Sequence, residues 1–188
     1  MLERGAARYH GIDPSHALLE RGRPYCSGRL TLETGTIETV RIAAATYDLV
    51  VARLVLHYVA SLDAALVTMA GALDAGGSVV YTIEHPVITS HESSRSRDEN
   101  GLRSSWVVDG YFATGKRELD WFAGRVQKYH RTLEDHFHAA AACGLRITSI
   151  DEAMPVEELF NGHVDEFQRR RRIPLFICVR AEHTARTD

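Results

Sequence analysis

Two pieces of the stretch Tyr47–Ser90 decide the fold: YDLVVARLVLHYV at residues 47–59 and GGSVVYTIEHPVITS at residues 76–90. The first opens with a continuously apolar run, Tyr47–Ala52, of the kind that fills a strand covered on both faces of a parallel sheet. Ser61 then caps a helix reaching to about Leu73. Leu62, Leu66, Met69 and Leu73 recur at helical spacing and are predicted to form its core face. Ala75-Gly76-Gly77 ends the helix and leads into a second strand, Ser78–Glu84. Polar residues gather where these strands end: Arg53, His57, Glu84 and His85. That end of an open α/β sheet is where its ligand crevice lies.

Upstream, Met1–Gly5 reads as the last turn of a helix with Gly5 as its stop. Ala7–Ile12 is a short strand ending at Asp13, and Ser15 caps a helix over about His16–Gly22. Leu30–Thr34 alternates as a strand, and Thr36–Val40 is a loop or single turn. Strand and helix therefore alternate as β-α-β-β-α-β by Glu84, which argues a doubly wound, mostly parallel sheet.

Downstream, Ser90–Ser105 is polar, contains SSRSRDENG, and reads as a loop. Trp106–Lys128 is rich in aromatic residues (Trp106, Tyr111, Phe112, Trp121, Phe122) and is expected to form a lid or a small strand pair. Residues 90–128 are thus an insertion. Thr132 caps a helix to about Cys143, with Leu133, Phe137, Ala140 and Ala141 expected inward, and Gly144 ends it. Leu145–Ile150 and Pro174–Arg180 are expected to be an antiparallel edge pair. No repeat or linker interrupts residues 1–188, which read as one domain.

Composition excludes several classes. The net charge of −3 implies no general affinity for nucleic acid. The one basic run, Arg169–Arg172, reads as a solvated helix end, with a phosphate or acidic-substrate contact as the alternative. Three cysteines without a CxxC pair fit reduced thiols in the cytoplasm better than disulfides or zinc, and no metal-ligand pattern occurs among the histidines. The longest apolar run is too short to span a bilayer, so no membrane partner is expected.

GIDPS (11–15), TIETV (36–40), LDAGGSVVYTIEHPV (73–87) and the segment from KYHRT (128–132) to Pro155 together resemble the class I S-adenosylmethionine-dependent methyltransferases, in the small-molecule branch called type 11. The resemblance implies a Rossmann-like sheet, S-adenosylmethionine as cofactor and a small-molecule acceptor. It implies that Asp13, with Pro14 and Ser15 shaping its turn, binds the ribose hydroxyls, the alternative being an ordinary Asx-turn. Ile37 would pack on adenine while Thr36 and Glu38 read its edge. Ala52 and Arg53 would lie beside the methionine part, with Arg53 either clamping a carboxylate or paired structurally. His57, Glu84 and His85 are the candidates for orienting the acceptor or taking its proton, and His57 is equally plausible as a structural histidine. His130 and Arg131 are placed to reach the substrate side.

The family's first strand and glycine-rich turn have no counterpart before Asp13, so the chain is expected to be an N-terminally truncated methyltransferase of doubtful activity. The alternative is a catalytically inactive Rossmann-like interaction module, self-associating through an exposed sheet edge. An NAD-dependent oxidoreductase shares the fold but suits the Glu84-His85-Pro86 rim less well.

Overall fold

The structure, a computed structural model, describes residues 1–91, 95–97, 103–121 and 124–183. The chain divides into two compact units, Met1–Ile42 and Ala43–Asp188, and each is described by itself.

The first unit opens on a single 3₁₀ turn, Leu2–Arg4, closed by Gly5 in the left-handed region at φ 96°. Strand β1 (Tyr9–Asp13), helix α1 (His16–Gly22) and strand β2 (Leu30–Thr34) follow. β1 and β2 pair in parallel, from Tyr9 opposite Leu30 to Asp13 opposite Thr34. Two glycines allow this packing. A Cβ on Gly11 would lie 2.8 Å from the Leu32 side chain, and one on Gly22 would lie 2.6 Å from it. Leu32 is thus seated between strand and helix, and a larger residue at either glycine would require the Leu32 side chain to shift.

The second unit begins with β3 (Tyr47–Arg53), α2 (Leu62–Ala72) and β4 (Leu73–Glu84), then the short α3 (Pro86–Thr89). Two antiparallel pairs come next: β5 (Arg95–Arg97) with β6 (Arg103–Trp106), and β7 (Gly115–Trp121) with β8 (Gly124–His130). α4 (Leu133–Ala142), β9 (Leu145–Glu152), α5 (Val164–Arg170) and β10 (Phe176–His183) complete it. The four-stranded sheet has the order β3-β4-β10-β9. β3 and β4 are parallel, and β10 is antiparallel to both β4 and β9. The expected antiparallel C-terminal pair is present.

Register fixes the rim. Phe176 at the start of β10 lies opposite Glu84 at the end of β4, and Ile177 lies opposite Glu152 at the end of β9. The carboxyl ends of β3, β4 and β9 therefore share one edge of the sheet. Val79, Tyr81 and Ile83 alternate inward along β4 and meet Leu66, Met69, Ala140, Ile177 and Val179 in the core. Burial of each large apolar side chain contributes roughly 1.5–3 kcal/mol.

Several expectations are corrected. β3 is not covered on both faces: Leu49 and Val51, which share one face, are 43% and 45% exposed, and of β3 only Ala52 is buried. β4 starts at Leu73, five residues earlier than expected, and carries the double glycine inside the strand. On α4 the inward face is His136, Ala139 and Ala140, while Phe137 is 55% exposed and Ala141 also faces solvent. The stripe is rotated by one residue, because His136 rather than Phe137 packs on Tyr81, at 5.7 Å between ring centroids. The polar Ser90–Ser105 stretch holds the β5–β6 pair. Its residues 92–94 and 98–102 lie outside the described residues, as does Phe122 of the aromatic group. The basic run is not simply solvated: Arg169 is buried, stacks 4.3 Å from the Trp106 ring centroid and pairs with Glu166.

Candidate functional site

In the first unit the end of β1 is shaped by Asp13. Its Oδ1 accepts the Ser15 backbone N–H at 2.7 Å, and the Ser15 hydroxyl in turn caps α1 by accepting from Leu18 at 3.3 Å. This is an Asx-turn, and it occupies one carboxylate oxygen. Oδ2 has no partner among the described residues and leaves Asp13 with an acceptor to offer. After β2, Thr36–Val40 forms one turn in which the Thr39 and Val40 amides donate to the Thr36 carbonyl. The Thr36 hydroxyl lies 3.2 Å from that of Thr39, a partner that sequence reading did not supply. Ile37 is half-buried and Glu38 exposed.

In the second unit the end of β3 makes an abrupt reversal. Arg53 is exposed and forms no ion pair among the described residues. Leu54 sits at φ 51°, a left-handed conformation uncommon for leucine. Its amide is held by the Thr82 carbonyl at 2.8 Å. A single 3₁₀ turn, Leu56–Tyr58, then carries His57 inward and Tyr58 outward.

His57 is 5% exposed, and its Nδ1 accepts the Glu84 backbone N–H at 3.4 Å. Burial pushes its pKa down to about 4 despite the nearby Glu84 carboxylate. The ring is therefore neutral at pH 7, and with Nδ1 accepting, its proton is on Nε2. His57 is a hydrogen-bond donor in this state.

Glu84 pairs with Lys128, whose Nζ lies 2.6 Å from Oε1; the side chains are 16% and 3% exposed. Lys128 also lies 5.6 Å from the centroid of the Tyr58 ring. His85 has both nitrogens engaged. Nδ1 accepts from the Val87 amide at 3.1 Å and caps α3, while Nε2 lies 3.0 Å from Glu152 Oε1 and donates to it. Burial holds the His85 pKa below its ordinary value.

The end of β8 supplies what the sequence did not reveal. Along β8 alternate residues point inward, so Lys128 and His130 are both buried. His130 Nδ1 lies 2.8 Å from the Thr89 hydroxyl and Nε2 lies 2.8 Å from the Tyr111 carbonyl, so Nε2 carries the proton. Arg131, expected to face substrate, turns its guanidinium onto the main-chain carbonyls of Leu56, Val59 and Ala60. The KYHRT signal marked this segment; the period-2 alternation within it was the clue to Lys128. Nothing in the sequence marks the left-handed Leu54.

The structure brings Glu84, His57 and Lys128 together and sets His85 with Glu152 on the same rim. Asp13 and Thr36–Glu38 belong to the other unit. A buried neutral donor, a buried ion pair and an aromatic ring at the carboxyl ends of parallel strands can orient a small molecule in a site of reduced water. At the first unit, the uncommitted Asp13 oxygen at a strand end and the half-buried Ile37 in the adjacent turn suit the ribose and adenine of a nucleoside. Among the described residues no cluster suited to a metal ion occurs.

Comparisons with known proteins place the chain in a family. A family model described as a methyltransferase domain matches residues 1–81. A crystal structure described as a candidate S-adenosylmethionine-dependent methyltransferase of Listeria monocytogenes is 30% identical, with a TM-score of 0.87 over 97% of this chain and 83% of that one. An S-adenosylmethionine-dependent methyltransferase of Mesorhizobium loti is 29% identical, with a TM-score of 0.83 over 96% and 83%. An uncharacterized protein of Haemophilus influenzae is 26% identical over 166 residues, which are 84% of this chain; the chain spans 65% of that protein's length. The fold is Rossmann-like, the family's cofactor is S-adenosylmethionine, and the chain belongs to the class I S-adenosylmethionine-dependent methyltransferases.

Proposed function

We propose that this protein takes part in methyl transfer from S-adenosylmethionine to a small-molecule acceptor, and that units 1–42 and 43–188 serve one methyltransferase domain. The observation that carries the proposal is the rim constellation of neutral His57, the Glu84–Lys128 pair and Tyr58 at the carboxyl ends of β3 and β4. The cofactor supplies an already activated methyl group, so the protein has mainly to align the acceptor and exclude water.

The residues divide by chemistry. Asp13 offers its second oxygen to the ribose hydroxyls, with Pro14 and Ser15 fixing the turn. Ile37 covers the adenine, flanked by Thr36 and Glu38. Ala52 and Arg53 face the methionine end, where the exposed guanidinium of Arg53 suits a carboxylate. His57 orients the acceptor through its Nε2 proton. Glu84, held by Lys128, is the carboxylate placed to accept a proton from an acceptor hydroxyl or amine. His85 supports the rim through Glu152. Within the insertion, Phe112 is 85% exposed and serves as part of a cover over the substrate side.

Among the described residues no helix is long and apolar enough to cross a membrane. With the three free cysteines this supports a cytoplasmic setting, and the negative net charge supports a small molecule rather than nucleic acid as acceptor.

A second reading is favoured by one observation. Leu49 and Val51 are exposed on the edge strand β3, which suits a catalytically inactive module that self-associates through this edge. Calorimetry with S-adenosylhomocysteine, run beside sedimentation of the same sample, separates the two. Saturable binding by a monomer supports methyl transfer; self-association without binding supports the module and overturns the first proposal.

A further inference from the structure

Arg131 stands between the end of β8 and Thr132, the cap of α4. Its Nη1 donates to the Leu56 carbonyl at 3.2 Å, and its Nη2 donates to the carbonyls of Val59 at 2.6 Å and Ala60 at 2.9 Å. All three acceptors lie in the reversal between β3 and α2. That reversal is weakly self-supporting. It begins at the left-handed Leu54, contains one 3₁₀ turn with no side-chain cap, and has only two internal amide bonds, Tyr58 to Val55 at 2.9 Å and Val59 to Leu56 at 3.3 Å. Yet it holds the buried His57 ring in contact with the Glu84 amide.

A guanidinium suits this task. Its donors lie in a rigid plane and reach carbonyls in several directions, which a single flexible ammonium matches poorly. Arg131 also makes no ion pair with the nearest carboxylates among the described residues. Asp135 is engaged by the Thr132 amide in the capping box, and Asp63 acts on the guanidinium only through its field. The guanidinium is thus committed to backbone carbonyls, with the Tyr129 ring centroid 5.3 Å from it.

We infer that Arg131 is a positioning residue: it ties the end of the β7–β8 hairpin to the β3–α2 reversal and so fixes where His57 and Tyr58 stand at the rim. This inference rests on the methyl-transfer reading only for what the rim is for; the positioning itself is independent of it. It means that the end of β8 and the β3–α2 turn are held to each other by side-chain-to-backbone bonds.

The test uses the full chain with Arg131→Lys and Arg131→Met. The lysine variant keeps the positive charge and the methionine variant keeps only the apolar stem. Amide hydrogen exchange and nitrogen-edited NMR titration of the His57 ring are read in both. The charged groups acting on His57 are Glu84, Lys128 and Arg131, with His136 close by. The lysine variant therefore separates a change of position from the loss of a cation.

In Arg131→Met the Tyr58 and Val59 amides are expected to exchange at least about tenfold faster, while α4 and β9 keep their protection. The His57 titration is expected to move from about 4 toward 6.5 in both variants, and less in the lysine one. Unchanged exchange and titration in Arg131→Lys and Arg131→Met would overturn the inference. So would loss of protection spread evenly over residues 43–183, or failure of both variants to fold, since either marks a general stability role. S-adenosylhomocysteine calorimetry on the wild type runs in parallel. If it shows no binding, the methyl-transfer proposal fails while the local result at His57 still decides the role of Arg131.

Discussion

Lys128 sets its ammonium 2.6 Å from Glu84 Oε1, with only 3% of the lysine side chain exposed. The two residues are 44 positions apart in sequence. They join the end of β4 to the β7–β8 hairpin. An ion pair of this kind is more costly to break than to replace, because the charge left behind is desolvated. Glu84→Gln removes the negative charge beside a buried ammonium and is expected to cost about 3 kcal/mol. Lys128→Met leaves a carboxylate with 16% exposure and better access to water, so its cost is expected to be smaller, about 1–2 kcal/mol. The double variant is expected to be more stable than the sum of the two changes. Urea unfolding of the four proteins in a double-mutant cycle measures this, and additive losses would contradict it.

Two buried histidines make stability depend on pH. The pKa of His57 and that of His136 are both lowered to about 4 by burial, against an ordinary 6.5. Between these values the unfolded chain binds protons that the folded chain does not, so stability falls as the pH drops. The stabilisation is full above about pH 6.5 and is lost progressively toward pH 4. Each histidine accounts for at most about 3 kcal/mol, from 2.5 pKa units at 1.36 kcal/mol each. His136 Nδ1 is buried with no partner among the described residues, which makes it the better site to change. His136→Phe is expected to flatten the dependence of stability on pH between 6.5 and 4. Chemical denaturation at several pH values checks it, and a slope equal to that of the wild type would refute the assignment.

Helix α4 begins with a complete capping box. The Thr132 hydroxyl accepts from the Asp135 amide at 3.1 Å and Asp135 Oδ2 accepts from the Thr132 amide at 2.8 Å. Thr132→Ala removes one of these and is expected to cost roughly 1 kcal/mol. Thermal unfolding reads the loss. Ser61→Ala at the start of α2, whose hydroxyl accepts from Ala64 at 3.2 Å, is the matched comparison.

Leu54 is held at φ 51° and is 36% exposed. A left-handed leucine carries strain of order 1 kcal/mol that glycine does not. Leu54→Gly is therefore expected to leave global stability unchanged or slightly raised, because released strain offsets lost side-chain burial and backbone entropy. Leu54→Val, β-branched at the same φ, is expected to lower it by at least 1 kcal/mol, on the order of other strained substitutions. Thermal unfolding of the pair tests this, and equal stability of both variants would show that the backbone there is not constrained.

The sequence made the elements legible where a local rule acts alone. Ser15, Ser61 and Thr132 each cap the helix assigned to them, and β2 runs over the expected residues. The order of strands and helices, and the antiparallel last strand, followed from the same pattern. What failed depends on neighbours. Composition makes Tyr47–Ala52 look covered on both faces, but coverage depends on what packs against the strand, and the face carrying Leu49 and Val51 is open. The α4 stripe is shifted by one residue because His136 packs on Tyr81 as a neutral aromatic and leaves the apolar ring of Phe137 outside. The roles of Lys128, and of Arg131, which is expected on the substrate side, were hidden for a related reason. What a charged side chain does is set by its long-range partners, and these are 44 residues away for Lys128 and as many as 75 for Arg131.

The most direct measurement is calorimetric titration of this chain with S-adenosylhomocysteine, repeated with Asp13→Asn. Asparagine keeps the side-chain oxygen that accepts from the Ser15 amide, so the Asx-turn survives, but it replaces the uncommitted second acceptor with a donor. The expected result is saturable binding to the wild type, weakened at least about tenfold by Asp13→Asn, the loss of one charge-assisted hydrogen bond. No heat of binding in the wild type, or equal affinity in the two proteins, would contradict a cofactor site built on Asp13.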